Sequence, residues 1–175
     1  RPLFARMIRS AVAAAGDIPV TVKFRMGIDD DHLTYLDAGH IAQDEGSAWV
    51  ALHARTAEQL YAPSARWDAI GELVSALDVP VLGNGDIFEA SDAIDMIDRT
   101  GCAGVVIGRG CLGKPWLFSD LRAVFDGHEV PPPPTLREVS ATAWEHAREA
   151  VAWRGAHEAL PPRRSRAAAR RSAIP

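Results

Sequence analysis

Four short apolar runs, at residues 18–24, 49–53, 79–82 and 104–107, are each followed by a stretch whose apolar residues recur at helical spacing. The helical stretches cover residues 33–45, 67–77, 90–99 and 115–125. This alternation predicts a parallel sheet, because parallel neighbours need a long crossover, usually a helix. The runs are almost continuously apolar, as expected of parallel strands covered on both faces. A further helix is expected over residues 2–15, with Leu3, Met7, Ile8, Val12 and Ala15 along one side and Gly16 as its stop. It has no strand before it, which carries the expectation that upstream segments of the same fold are absent.

Two expected strand ends carry glycine turns. Gly83-Asn84-Gly85-Asp86 follows Val79-Pro80-Val81-Leu82, and Gly108-Arg109-Gly110 follows Gly104-Val105-Val106-Ile107. Glycine lets backbone approach a ligand and adopt positive φ, and Asn84 tolerates left-handed geometry. One such turn is equally well a tight strand-to-helix connection with no ligand. Two on successive strands suit one task, gripping a phosphate with backbone N–H groups. Arg109 would add a charged hydrogen bond, and a helix beginning near Gly113 and Pro115 would favour an anion at its N-terminus. In (β/α)8 barrels the phosphate site is often built by the loops after the last two strands.

The expected fold is therefore α/β, the C-terminal half of a (β/α)8 TIM barrel with four parallel strands and their helices. At 175 residues the chain is shorter than the roughly 200 that a whole barrel needs. The string from Gly108 to Gly113 also fits Gly-x-Gly-x-x-Gly. A dinucleotide fold would place a second strand and an acidic residue roughly 20 positions on. A helix and the prolines of residues 131–134 follow instead, so that reading is rejected.

Those prolines make a stiff, extended break. The expected organisation is a partial barrel at 1–127, a linker at 128–134 and one helix of a C-terminal helical domain at 135–153. A disordered tail rich in arginine, alanine and proline is expected at 154–175. A net charge of −4 gives no general attraction to nucleic acid, although from Arg154 onward six arginines face the single acid Glu158. Cys102 and Cys111 show no metal-ligand spacing, so no metal site and no disulfide framework are expected, and a reducing cytoplasmic location is. No apolar run approaches the roughly 20 residues of a membrane span.

Lys23 interrupts an apolar strand, Val20-Thr21-Val22-Lys23-Phe24-Arg25. Near the C-terminal end of a barrel strand it would point into the active-site mouth. A unit charge about 4 Å away in a half-buried site is worth about 4 kcal/mol, enough to favour an anionic reduced flavin. The plain alternative is a strand-end lysine reaching solvent. His53 ends the second strand and opens His53-Ala54-Arg55-Thr56-Ala57-Glu58-Gln59-Leu60-Tyr61. Long loops in compact domains tend to be functional, and Arg55, Gln59 and Tyr61 suit a nucleobase, which takes stacking and edge hydrogen bonds. His32, His40, His128, His146 and His157 lack ligand spacing and read as solvated. Cys111 reads as packing, not as a nucleophile.

These residues together resemble the tRNA-dihydrouridine synthases of bacterial type. The resemblance is carried in order by Val22-Lys23-Phe24-Arg25-Met26-Gly27 and by His53-Ala54-Arg55-Thr56 with Gln59 and Tyr61. Gly83-Asn84-Gly85-Asp86-Ile87, Ile107-Gly108-Arg109-Gly110, Leu112-Gly113 and Pro115-Trp116-Leu117-Phe118 continue it, over residues 1 to about 148. It implies strands resembling the fifth to eighth of the barrel. It also implies FMN as cofactor, NADPH as reductant and tRNA as partner. Lys23 and His53 would lie at the flavin, with Asn84, Gly85 and Asp86 at one side of its phosphate and Gly108 and Arg109 at the other. Arg55, Gln59 and Tyr61 would meet the substrate. The implied reaction reduces the uridine C5=C6 bond by hydride to C6 and a proton to C5. The family's proton-donating cysteine lies upstream of the segment resembling residues 1–15, so the chain alone is expected to be inactive. The tail beyond about Arg148 is expected to depart from the family, as from an out-of-frame or truncated gene. Two other readings remain: an FMN barrel oxidoreductase of dihydroorotate dehydrogenase type, and a non-catalytic RNA-binding remnant using the basic tail.

Overall fold

The structure is a computed structural model and describes residues 1–154. The expected disordered tail and His157 fall, apart from Arg154, outside the described residues. Helix α1 (Pro2–Ala15) precedes β1 (Thr21–Arg25), α2 (Tyr35–Asp44), β2 (Trp49–His53), α3 (Asp68–Ala76) and β3 (Val81–Asn84). Then come α4 (Ala90–Thr100), β4 (Gly104–Val106), one 3-10 turn at Arg109–Cys111, α5 (Leu117–Phe125) and α6 (Leu136–Arg154). The strands form one parallel sheet in the order β1-β2-β3-β4. Strand order following chain order, with a helix at each crossover, is consistent with part of a (β/α)8 barrel.

The chain divides into two compact units at Pro131 and Pro132. The first holds the sheet and its helices. The second begins with the proline stretch and contains α6, whose N-terminus is closed by Thr135 and Glu138: the Thr135 N–H and hydroxyl donate to Glu138 Oε2, each at 2.7 Å.

The core lies between the sheet and its helices. Val50 and Leu52 of β2 are fully buried with Ile70 and Leu73 of α3, Met96 of α4 and Leu117 of α5. Each such side chain contributes about 1.5–3 kcal/mol by leaving water. Val22 and Phe24 of β1 and Val105 of β4 pack against the same cluster. The alternate positions lie on the other face of the sheet. That second face is less covered than the apolar runs predicted: Ala51 is buried, but Thr21 and Lys23 at the edge are exposed.

Several element ends move for local reasons. The first and third strands begin later than expected, just beyond Pro19 and Pro80, which have no N–H for a ladder. The third strand runs on through Gly83 and Asn84, so Gly83 is a ladder residue and not part of the turn. Its missing side chain answers a packing need, because a Cβ there would lie 2.3 Å from Met96 Sδ. Helix α2 starts at Tyr35 and not at residue 33, because Leu33 is bridged to Gly27. The Asp29 carboxylate accepts the N–H of Asp31 and of His32, making a turn ahead of the helix. Helix α5 starts at Leu117, after the 3-10 turn and Gly113 at φ 72. His32, His40, His128 and His146 are exposed, as expected.

Candidate functional site

The parallel register brings one row of residues to the C-terminal edge of the sheet. Arg25 pairs with His53, His53 with Asn84, and Asn84 with Val106. All four line a single cavity. Lys23, two residues before Arg25 and therefore on its face, lines it too, with Arg55, Tyr61 and both turns, Gly85–Phe88 and Ile107–Gly110. The two glycine segments thus lie side by side on one rim. Gln59 is not among the lining residues. Its Oε1 accepts the Thr56 N–H at 3.0 Å, and the Gln59 N–H donates to Thr56 Oγ1 at 3.3 Å, a reciprocal brace inside the loop.

The turn after β3 is braced through the Gly85 carbonyl and the Asp86 carboxylate. Gly85 has φ 130 and Asp86 φ 55, backbone that a side chain rarely adopts. The Trp67 indole donates to the Gly85 carbonyl at 3.0 Å. The Asp86 carboxylate accepts two hydrogen bonds from Arg55 Nη2, at 2.7 and 2.6 Å, and one from the Ala65 N–H at 2.7 Å. Burial opposes ionisation of Asp86, but these bonds and the positive charge of Arg55 and Arg109 outweigh it and hold the carboxyl below its usual range. Arg55 is 2% exposed, and its Nε also donates to the Pro63 carbonyl at 2.7 Å. Its Nη1 is buried with no partner among the described residues. The Asn84 amide donates to the Val106 carbonyl at 2.7 Å, tying the two strand ends together.

The turn after β4 is open. A Cβ on Gly108 would meet nothing within 4 Å. Gly110 is pressed on the other turn, where a Cβ would lie 2.0 Å from the Ile87 carbonyl oxygen. Arg109 lies over the Tyr61 ring, with Cζ 4.2 Å from its centroid, and 3.5 Å from the Asp86 carboxylate.

Four cations, Lys23, Arg25, Arg55 and Arg109, therefore line a cavity that holds one carboxylate, Asp86. That charge balance, the orphaned Arg55 nitrogen and the open Gly108 backbone fit an anionic ligand. His53 is pulled down to about 4 by partial burial, then by Arg25, Lys23 and Arg55, with Asp86 opposing. It is neutral at pH 7 and can hydrogen-bond without serving as a proton reservoir. Lys23 is also lowered, by burial first and then by Arg25. No cysteine lines the cavity among the described residues: Cys102 is buried and Cys111 donates its thiol to the Gly108 carbonyl at 3.1 Å.

A family model described as dihydrouridine synthase (Dus) matches residues 1–174. The chain belongs to the dihydrouridine synthase family. A probable tRNA-dihydrouridine synthase of Mycobacterium leprae (strain TN) is 56% identical over 155 residues, covering 87% of this chain and 40% of that protein. One from Mycobacterium tuberculosis (strain CDC 1551 / Oshkosh) is 57% identical over 149 residues, covering 83% of this chain and 38% of the relative. The tRNA-dihydrouridine synthase B of Xanthomonas axonopodis pv. citri is 40% identical over 144 residues, covering 82% and 43%. The chain thus spans about 40% of the length of the curated relatives it matches. The family match runs to residue 174, past the end near residue 148 that the motifs alone give it.

In this chain the sequence left several site residues unmarked. Arg25 lines the cavity and its Nη1 donates to the Thr56 and Leu60 carbonyls at 2.8 and 3.2 Å. Its place two residues after Lys23 was the available signal. Trp67 sits in an ordinary helix-start position, and nothing in the sequence marks its bond to Gly85. Phe88, next after the first turn, lies 5.8 Å from Arg109 Cζ by its ring centroid.

Proposed function

We propose that the cavity holds FMN and that the chain is part of an enzyme reducing uridine to 5,6-dihydrouridine in tRNA with NADPH as reductant. The observation that carries this reading is the pair of turns at adjacent strand ends around one cation-rich cavity. Bound there, FMN would supply hydride chemistry. Gly85, Gly108 and Arg109 would receive its phosphate through backbone N–H groups and the guanidinium, with Asn84 and Asp86 shaping that cradle from behind. Lys23 would offset negative charge on the ring system, and neutral His53 would hydrogen-bond to the ring or the base. Arg55 and Gln59 would hold the 54–66 loop against the mouth where the uridine enters. Neutral His53 would not be the donor of the proton to C5. The relatives named tRNA-dihydrouridine synthase support RNA as the substrate over a small dihydropyrimidine.

The test is ligand-dependent protection from thermal unfolding. FMN should raise the melting temperature, and uridine-containing tRNA should raise it further in the flavin-loaded chain. Protection by dihydroorotate in place of tRNA would contradict the reading. So would FMN binding that survives in the Lys23→Ala, Arg109→Ala double variant at unchanged affinity.

A further inference from the structure

We propose that Tyr61 is a positioning residue whose ring holds the Arg109 guanidinium beside the open turn, leaving its N–H donors free for a ligand phosphate. The inference rests on the flavin-phosphate reading above and gives Tyr61 a task other than touching the base.

Three observations carry it. First, Arg109 lies on aromatic faces, 4.2 Å from the Tyr61 centroid and 5.8 Å from that of Phe88. A guanidinium stacked on a ring is held through its flat face, so its in-plane donors are not consumed. Second, the carboxylate beside it is already spent. Asp86 stands 3.5 Å from Arg109 Nη2, beyond the usual range of a charge-assisted hydrogen bond. Its two oxygens accept from Arg55 and the Ala65 N–H. Third, Tyr61 is itself fixed. Arg25 holds the Leu60 carbonyl immediately before it, and the Ala62 N–H immediately after it donates to the Gln59 carbonyl at 2.9 Å. Arg25 therefore reaches Arg109 through the loop and the ring, although the two are like charges on one cavity.

The contact predicts a preference for a phosphorylated ligand. Arg109 meets the phosphate and not the ring system, so losing its hold should weaken FMN and leave riboflavin unchanged. The tyrosine hydroxyl plays no part in the stack, so phenylalanine should suffice. Tyr61 is 57% exposed, and replacing it should leave the fold intact.

The experiment titrates FMN and riboflavin by flavin fluorescence into the full 175-residue chain and its variants. The ratio of the two dissociation constants reads what the phosphate adds. Tyr61→Ala should lower the preference for FMN about fivefold, the size of an exposed cation–π contact. Tyr61→Phe should keep the wild-type ratio, and Tyr61→Ala should add nothing once Arg109→Ala is present. Tyr61→Ala with an unchanged ratio, or with both flavins weakened equally, overturns the positioning role while FMN binding itself stands. A wild-type chain that binds riboflavin as tightly as FMN, or binds neither, overturns the phosphate reading and this inference with it.

Discussion

The turns after β3 and β4 both carry glycine beside a charged residue, yet they use their polar groups in opposite ways. After β3 the Gly85 carbonyl and the Asp86 carboxylate are spent at home. Trp67, Ala65 and Arg55 come from the preceding loop and bind Gly85 and Asp86. After β4, Gly108 faces open space and Arg109 rests on rings. The first turn has its carbonyl and carboxylate braced by one loop, and the second leaves its backbone and its arginine open. The difference comes from what the 54–67 loop delivers to one turn and withholds from the other.

The largest expected effect breaks that brace. Asp86→Ala removes the counter-charge of an arginine that is 2% exposed, and should cost about 3–5 kcal/mol in urea unfolding. Arg109→Ala, on the open turn, should cost no more than about 0.5 kcal/mol while weakening anion binding. Equal costs would abolish the distinction between the turns. Next come the glycines. Gly83→Ala would drive a Cβ to 2.3 Å from Met96 Sδ and should cost about 1–3 kcal/mol. A Cβ on Gly108 meets nothing within 4 Å, so Gly108→Ala should cause no packing clash of the kind at Gly83.

A subtler probe is pH. His53 has its folded-state value at about 4, below the usual 6.5, so between those values the unfolded chain binds more protons than the folded one. Stability should fall as pH drops from about 6.5 to about 4. His53→Gln should remove that slope, and the imidazole resonances of His53 in the native chain should titrate near 4 in NMR. Asp86, with its folded value lowered, adds a loss only at more acid pH, as the solution passes below its unfolded value. A small effect is also expected at the Lys114–Glu89 ion pair, whose glutamate is largely exposed. Lys114→Ala should change stability by less than about 1 kcal/mol.

The alternation of strands and helices was legible because β2 and β3 bury apolar residues on the helix side, and such runs show in sequence. The rim was legible in part, since strand ends and glycine patterns mark where backbone can meet a ligand. The division of labour between the turns was not. It depends on Asp86 meeting Arg55, 31 positions away, and on Tyr61 meeting Arg109 across the loop. No local spacing encodes such pairs. Gly83 shows the same limit: one residue type serves a turn or a tight strand–helix contact, and only Met96 decides which.

The central claim is that both turns grip one anion together. Backbone amide shifts of the isotope-labelled chain, followed by NMR as FMN is added, test it most directly. The amides of Gly85, Asp86, Gly108, Arg109 and Gly110 should move together with one dissociation constant. Shifts confined to one turn, or clustered away from the strand ends, would contradict the account.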